Sequence, residues 1–344
     1  MSDSIAKPQA AILALSALSL AGSMLFLLRN PPPTPFADRL SKLDPKETSI
    51  DNDFYDDYFE SSAEESNGDG DDGGVVDASA EKEEEHPLQL VNYGRIPYFL
   101  RTWTAQSPLC AQVKADVETM GGATTRTVLP ASFKALDVGC GGGIAAEVVA
   151  RAGAQVTGVD LSAGAIACAK RRAKARGLSI EYVVGDALDL PVPSETYDGV
   201  LCSDTLEHLF DLDAALKEMA RVLKPGGILV LDTINRTRVS WYALVLIAQD
   251  TLGYLPHGAH DWRLFITPDE LSTSLQRAGL EACPESAVRG MRPGMRAPHI
   301  ILARTWHYAT SKQGSASFLD CFIGRWTETT FTAGSYLAWA RKPL

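Results

Sequence analysis

A short apolar run that ends in a cluster of glycines constrains this chain more than any other feature. Residues 135–138 have the composition of a buried strand, four glycines lie among residues 139–143, and a helical pattern covers residues 144–151. A strand, a glycine turn and a helix in this order open a nucleotide-type pocket at the carboxyl end of a parallel strand. Glycine accepts positive φ and lets a ligand approach the backbone. The pattern therefore predicts an α/β fold with a nucleotide-type site after this strand.

The next apolar run indicates which nucleotide to expect. Residues 155–159 precede Asp160, which follows Gly139 by 21 residues and could accept hydrogen bonds from both ribose hydroxyls of an adenosine. A dinucleotide fingerprint needs Gly or Ala at position 144, where this chain has Ile144. The loop is instead similar to motif I of the class I S-adenosylmethionine (AdoMet) methyltransferases, whose donor has no phosphate. An ordinary glycine turn in another Rossmann-type enzyme is the alternative.

Composition limits the partners of the chain. The 344 residues have a net charge of −11, and residues 51–85 contain fifteen Asp and Glu against Lys82, or −14, which leaves +3 for the rest. The folded part has no large basic field, so no nucleic acid is expected as a partner. The six cysteines are scattered without a C-x-x-C pair, which favours a reduced compartment without disulfides or structural zinc.

The first 85 residues are predicted to be an extension. Residues 10–28 are uncharged and just long enough to span a bilayer core. A membrane anchor, a cleaved secretory signal and part of an organelle-targeting presequence are the alternatives. We favour an anchor or a retained targeting segment at residues 1–30, because the run is long for a signal peptide and no arginine precedes Arg29. Residues 31–85 are predicted to be a Pro-rich and then acidic, disordered linker.

Further apolar runs predict the rest of a sheet. Strands are expected at residues 181–184, 197–202, 228–233 and 334–340, and helices at residues 163–176 and 211–223, with another between 105 and 120. Thr267 and Glu270 have the spacing of a capping box around Pro268, so a helix should begin there.

Three side chains that can do chemistry follow the strand predicted at 197–202. Asp204, Glu207 and His208 are spaced so that a helix would point them the same way. Two carboxylates and an imidazole can bind Mg²⁺, which would suit a catechol substrate. Without a metal, His208 would be the general base, and Glu207 and His208 are the candidate catalytic residues. A third alternative is that this pair only caps a helix and seals the pocket floor.

Three other features bear on the ligands. Asp186 follows the third predicted strand, where an acid commonly meets the adenine amino group in this fold; an aspartate of a surface loop is the alternative. Residues 240–248 are apolar on nearly all sides and fit a core or lid helix, or one in a membrane interface. His257 and His260 are either a second polar cluster or structural hydrogen-bonding residues.

Seven motifs, taken in order, resemble one family. They are Asn-Tyr-Gly-Arg at 92–95, the glycine loop at 136–143, Val-Thr-Gly-Val-Asp at 156–160, Leu-Glu-His at 206–208, Lys-Pro-Gly-Gly at 224–227, Thr-Ile-Asn-Arg at 233–236 and Gly-Ala-His-Asp-Trp-Arg-Leu-Phe-Ile at 258–266. Over roughly residues 86–283 the chain resembles the ubiquinone-biosynthesis O-methyltransferases, which methylate polyprenyl catechols with AdoMet.

The resemblance implies roles for single residues. Arg95 would pair with the carboxylate of the donor, and Asp204, Glu207 and His208 fall at the family's proposed magnesium positions, where the family usually has glutamate in place of Asp204. The expected cofactor-binding residues lie in the glycine loop or next to it at the ends of other elements: Arg95, Asp137, Gly139, Gly141, Asp160, Asp186 and Ser203.

We therefore expect a seven-stranded class I methyltransferase domain at residues 86–344, with helices on both faces, behind a membrane-associated extension. AdoMet is the expected cofactor, and a need for Mg²⁺ is left open. The expected partners are a lipophilic phenolic quinone precursor, a membrane surface and a quinone-biosynthesis complex, at the mitochondrial inner membrane. The alternatives are a methyltransferase for another lipophilic or small phenol, a catalytically silent scaffold of AdoMet fold, and an NAD-dependent dehydrogenase, which Ile144 disfavours.

Overall fold

A computed structural model describes residues 87–110, 129–251, 258–296 and 323–344. The predicted anchor at residues 1–30, the predicted linker at 31–85 and most of the helix expected at 105–120 lie outside the described residues. No helix within the four described stretches is both long enough and apolar enough to cross a membrane.

Nine strands in the described residues form one mixed sheet. They are β1 (Lys134–Val138), β2 (Gln155–Asp160), β3 (Ile180–Val184), β4 (Tyr197–Ser203), β5 (Leu223–Ile234), β6 (Glu281–Ala282), β7 (Arg289–Met295), β8 (Ile323–Thr329) and β9 (Ser335–Arg341). Their order is β3-β2-β1-β4-β5-β9-β7-β8, with β6 paired to β9. The first five are parallel, and β9, β7 and β8 continue the sheet antiparallel. The strand order reverses between β1 and β4, which is where α/β sheets bind ligands.

The described residues form two more strands than the seven predicted, although the α/β architecture is confirmed. One additional strand, β6, has only two residues. Another, β8, buries only Gly324 among its seven residues, so it has no apolar run by which a sequence pattern could detect it.

Six helices in the described residues surround the sheet. They are α1 (Pro87–Gln106), α2 (Ile144–Arg151), α3 (Ala163–Ala175), α4 (Leu212–Val222), the single turn α5 (Arg238–Ser240), which continues as a π-helix (Trp241–Thr251), and α6 (Pro268–Arg277). Thr267 and Glu270 form the predicted capping box at the start of α6. The side chain of Glu270 also pairs with buried Arg236, with 2.6 Å between the nitrogen and oxygen atoms, which ties α6 to the end of β5.

The helices cover both faces of the sheet, because the buried strands alternate their apolar side chains between two cores. In β5, Ile228 and Val230 point into the first core, where residues of α1, α2 and α3 pack. Leu229 and Leu231 point into the second core, where residues of α4 and α6 pack. The predicted arrangement of helices on both faces is confirmed.

Helix α1 was not predicted, because Gly94 and Pro97 weaken the helical pattern of its sequence. Tertiary packing overrides that weakness: the ring of Trp103 is fully buried, and its Nε1 donates a hydrogen bond to the carbonyl oxygen of Ile228, with 3.1 Å between nitrogen and oxygen. The ring lies so close to Gly199 of β4 that a Cβ atom there would be 2.7 Å from it. The helix is thereby fixed on the sheet.

Candidate active site

The glycine loop between β1 and α2 faces the carboxylate of Asp160 at the end of β2. The backbone N–H of Gly141 donates to Oδ2 of Asp160 over 2.7 Å, and the N–H of Ser162 donates to Oδ1 over 2.9 Å. Each carboxylate oxygen has two lone pairs, so each can still accept a second hydrogen bond, such as one from a ribose hydroxyl. The predicted loop and the predicted acid therefore meet at the switch point of the sheet.

Two glycines of this loop also meet steric requirements. Gly139 has φ +73°, and a Cβ atom there would lie 2.2 Å from Oγ1 of Thr205. Gly143 has φ +79°, and a Cβ atom there would lie 2.4 Å from the hydroxyl oxygen of Tyr182. The loop therefore packs against the residues that follow β4 on one side and against β3 on the other, which no other residue type would permit.

Asp137, the penultimate residue of β1, lies beneath the loop with its side chain almost fully buried. Its Oδ2 atom has no hydrogen-bond partner among the described residues. Burial raises the pKa of Asp137 to about 7, and nearby Asp160 adds to that effect while Arg95 opposes it. An orphaned acceptor beside a glycine loop can take a donor from a ligand, so these residues fit the amino-acid and ribose groups of AdoMet.

Arg95 reaches the same edge of the sheet from helix α1 and is almost completely buried. Its Nε donates to Oδ1 of Asn92 over 2.7 Å. Its Nη1 atom pairs with Asp204 and also lies 3.5 Å from Oδ2 of Asp232. Burial lowers the pKa of Arg95, but the two carboxylates outweigh it and hold the pKa above the usual range. The guanidinium is thus charged and held in place.

Asp232 is a site residue that sequence reasoning missed. It lies near the end of β5, paired in register with Ser203 of β4, and the hydroxyl of Ser203 donates to its Oδ1 in a short hydrogen bond. Burial raises the pKa of Asp232 to about 8, with Asp204 adding to the rise. Its sequence signal is an acid interrupting the apolar run 228–234 at its carboxyl end.

The three predicted magnesium ligands are not arranged as predicted. Asp204 has φ +47°, and residues Leu206–His208 form a single 3₁₀ turn, so Asp204, Glu207 and His208 do not share a helix face. Asp204 is paired with Arg95, whose charge lowers the pKa of Asp204 against the effect of burial. No group of three His, Cys, Asp or Glu side chains in the described part of the chain could hold a metal ion. The magnesium site is therefore not supported.

Glu207 was also predicted to be catalytic, and that role stays a prediction. Its side chain is buried, and Oε2 accepts a hydrogen bond from Oγ1 of Thr233 over 2.8 Å. Burial, with Asp204, raises the pKa of Glu207 well above its usual value. A buried acid that accepts a hydrogen bond from Thr233 fits the alternative in which this residue seals the floor of the pocket.

His208 lies against His260, with 5.2 Å between the ring centroids. Burial and the neighbouring imidazole lower the pKa of His208 to about 3, and burial lowers that of His260. Both rings are therefore neutral at physiological pH. His260 belongs to the second polar cluster considered from the sequence, whereas His257 lies outside the described residues. The Nδ1 atom of His260 has no hydrogen-bond partner within the described stretches.

Asp186 lies at the same edge of the sheet but satisfies its own loop. The N–H of Gly185 donates to the carbonyl oxygen of Asp160 over 2.9 Å, which places the loop after β3 beside β2. Oδ1 of Asp186 accepts from the N–H of Leu188 over 2.8 Å, and its side chain is exposed. The hydrogen bond from Gly185 therefore brings Asp186 close in space to Asp160, and its predicted contact with the adenine stays a prediction.

The apolar segment predicted at residues 240–248 lies almost entirely in the π-helix Trp241–Thr251, which contacts the histidine pair. Of its residues only Ala248 and Gln249 are buried, so this segment is not a core helix. The Oε1 atom of Gln249 accepts a hydrogen bond from the backbone N–H of His260 over 2.9 Å. The apolar residues of the segment therefore remain partly uncovered beside the candidate site.

Comparison with known proteins adds named relatives. Residues 136–231 match the family described as "Methyltransferase domain". The "Ubiquinone biosynthesis O-methyltransferase" of Dinoroseobacter shibae is 38% identical over 198 residues, which cover 57% of this chain and 73% of that protein. The protein of the same name from Ruegeria pomeroyi is 42% identical over 195 residues, also 57% of this chain and 73% of its own length. Among solved structures, the YcgJ protein of Bacillus subtilis is 18% identical over 62% of this chain and 94% of that chain, with a TM-score of 0.43.

Proposed function

The chain belongs to the family of ubiquinone biosynthesis O-methyltransferases, and from that premise we propose that it methylates a phenolic oxygen of a polyprenyl catechol. At the coarser level it is an AdoMet-dependent O-methyltransferase of ubiquinone biosynthesis. AdoMet, when bound, supplies a methyl group on a positively charged sulfur. The contributions of the protein are then to bind the donor, to orient the acceptor oxygen and to accommodate its proton.

The observation that carries this proposal is the hydrogen bond from Gly141 to Asp160 at the switch point. It keeps the carboxylate turned toward the glycine loop, where its remaining lone pairs would receive the ribose hydroxyls. In the proposed arrangement Gly139 and Gly141 let the donor approach the backbone closely. Asp186 lies toward the adenine of the donor. Asp137 accepts a hydrogen bond from the ammonium group of the donor. Arg95 and Ser203 would contact the amino-acid end.

The test of this proposal is a methylation assay on the full-length chain. With AdoMet and a polyprenyl catechol, we expect S-adenosylhomocysteine, a methyl ether and the released phenolic proton in equal amounts. Asp160→Ala should abolish all three by weakening the donor complex. Methylation of other phenols alone would contradict the proposed acceptor. Failure of the wild-type chain to bind AdoMet would contradict the whole proposal and favour a silent scaffold.

We propose that His208 orients the acceptor. A neutral imidazole can accept a hydrogen bond from a phenol, whereas a pKa of about 3 makes complete proton transfer to the free ring unfavourable. His208→Asn should therefore lower kcat while leaving the affinity for AdoMet unchanged. Because Asp204 and Glu207 are already engaged by Arg95 and Thr233, activity should be the same with and without EDTA. Loss of activity in EDTA that Mg²⁺ restores would contradict this arrangement.

The partly uncovered residues of the π-helix support a membrane surface as the partner that delivers a lipophilic substrate. Ile247 is 46% exposed, and Trp241 and Tyr242 lie at the start of the same segment. We propose that the protein is membrane-associated at the mitochondrial inner membrane, within a quinone-biosynthesis complex. Ile247→Glu should reduce flotation with liposomes and turnover of a long-tailed catechol, and should spare a short-tailed one. Fractionation of cells that express the full chain tests the location.

A further inference from the structure

Asp232 is a fully buried acid near the carboxyl end of the central strand β5, next to two of the residues proposed to contact the donor. Its Oδ1 accepts the hydrogen bond from the hydroxyl of Ser203, and its Oδ2 lies 3.5 Å from Nη1 of Arg95. Oδ2 accepts no hydrogen bond from any described residue. A buried carboxyl group is unfavourable unless neighbouring groups compensate it, so its position requires a physical explanation.

We propose that Asp232 is a positioning residue for the amino-acid end of the methyl donor, because it holds Arg95 and Ser203 in the geometry that binds this end. The inference rests on the proposed function, in which these two residues contact AdoMet. Asp232 touches them and need not touch the donor.

The placement of Asp232 suits this role better than the placement of its neighbours. Arg95 is held by Asn92, which lies on the same helix, and by Asp204, which follows β4 at a positive φ and is partly exposed. Asp232 instead lies on β5, which is hydrogen-bonded to β4 on one side and to β9 on the other. A contact from a rigid central strand restricts the guanidinium more than contacts from its own helix or from a loop.

A merely structural role would have a different consequence. If Asp232 only stabilised the fold, its removal would weaken every ligand of the pocket alike. If it positions Arg95 and Ser203, the loss should fall on ligands that carry an amino-acid end. S-Adenosylhomocysteine and 5′-methylthioadenosine make this distinction, since both have adenosine and an uncharged sulfur but only the first has the amino acid.

The experiment is calorimetric titration of the full chain with each of these two ligands. Asp232→Ala should weaken binding of S-adenosylhomocysteine by between about 10-fold and 100-fold, because Ser203 loses its hydrogen bond and Arg95 loses a nearby carboxyl group. It should change the binding of 5′-methylthioadenosine less than about threefold. Asp232→Asn keeps an acceptor for Ser203 and should recover most of the loss. The matched control is Asp198→Asn at the other end of β4, where the carboxylate pairs with Lys224 over 2.7 Å; it should leave both affinities unchanged.

Equal losses for the two ligands, or no loss for S-adenosylhomocysteine in Asp232→Ala, would overturn the inference. If the alanine variant does not fold, Asp232→Ser provides the same comparison with a polar side chain that is too short to reach Arg95. If the wild-type chain binds 5′-methylthioadenosine as tightly as S-adenosylhomocysteine, the inference fails while the pocket stands. If the wild-type chain binds neither ligand, the proposed function fails, and the inference fails with it.

Discussion

Three aspartates and one arginine meet at the carboxyl ends of the central strands. Asp137, Asp204 and Asp232 surround Arg95, and three full negative charges beside one guanidinium would repel one another in a buried site. The three carboxyl groups respond differently: the pKa of Asp204 is lowered by Arg95, whereas burial raises that of Asp137 to about 7 and that of Asp232 to about 8. At neutral pH the cluster therefore retains protons and carries little net charge.

Asp137 should leave a pH signature in the stability of the protein without ligand. The folded chain holds its proton up to about pH 7, whereas an unfolded aspartate releases it at about pH 4. Between these values the folded state binds more protons, so this group makes the free energy of unfolding fall as pH rises. Asp137→Asn cannot titrate, and its stability relative to wild type should increase across that range by on the order of a few kcal/mol.

Urea unfolding at half-unit pH steps measures this difference. The control is Asp198→Asn, which makes the same chemical change at the opposite end of the sheet. Wild type and Asp137→Asn with parallel pH curves would show that the carboxyl group of Asp137 is already ionised in the folded chain.

At the scale of elements, helix α1 does two things, since it covers one face of the sheet and carries Arg95 to the site. Its position depends on the ring of Trp103, which packs against β4 and bonds to β5. Helix α1 brings Arg95 to the site, whereas the single 3₁₀ turn at Leu206–His208 separates side chains that a longer helix would have brought together.

Replacement of Trp103 tests how much of the fold depends on this contact. Trp103→Ala removes a fully buried ring and should lower the free energy of unfolding by about 3–5 kcal/mol, since the surroundings of such a cavity relax only partly. Denaturant unfolding gives the number. Leu109 lies just after the same helix and is 43% exposed. Leu109→Ala should therefore change the free energy of unfolding by less than about 0.5 kcal/mol. Similar values for the two variants would contradict the packing described for α1.

The sequence pattern was sufficient for some elements and insufficient for others, for physical reasons. Strands β1, β2 and β4 were predicted to within a residue, because buried parallel strands are continuous apolar runs. Helix α1 was missed because Gly94 and Pro97 hide a helix that packing stabilises. The link between Ser203 and Asp232 was also beyond prediction, since it depends on the register of β4 against β5, and nothing local to either residue specifies that register.

At the scale of the molecule, two apolar cores enclose a sheet whose ligand-binding edge lies at the reversal of strand order. The glycine loop, Asp160 and the Arg95 cluster come from elements far apart in the chain, so a ligand at that edge contacts most of the fold. Binding there should therefore be coupled to global unfolding, because a ligand that binds only the folded state stabilises it by mass action.

Thermal unfolding of the full chain measures this coupling and separates two classes of cofactor. AdoMet at 100 times its Kd should add about 2.7 kcal/mol to the stability and raise Tm by several degrees. NADH at the same concentration should leave Tm unchanged, since Ile144 replaces the small residue that a pyrophosphate loop needs. A rise with NADH and none with AdoMet would favour the dehydrogenase alternative.

The close approach of Trp103 to Gly199 has a consequence for the descent of this protein. A Cβ atom at position 199 would come within 2.7 Å of the indole and within 2.9 Å of the ring of Phe133, so even alanine cannot enter while both rings stay. In homologues the three positions should therefore change together: a lineage that gains a side chain at 199 needs smaller side chains at both 103 and 133.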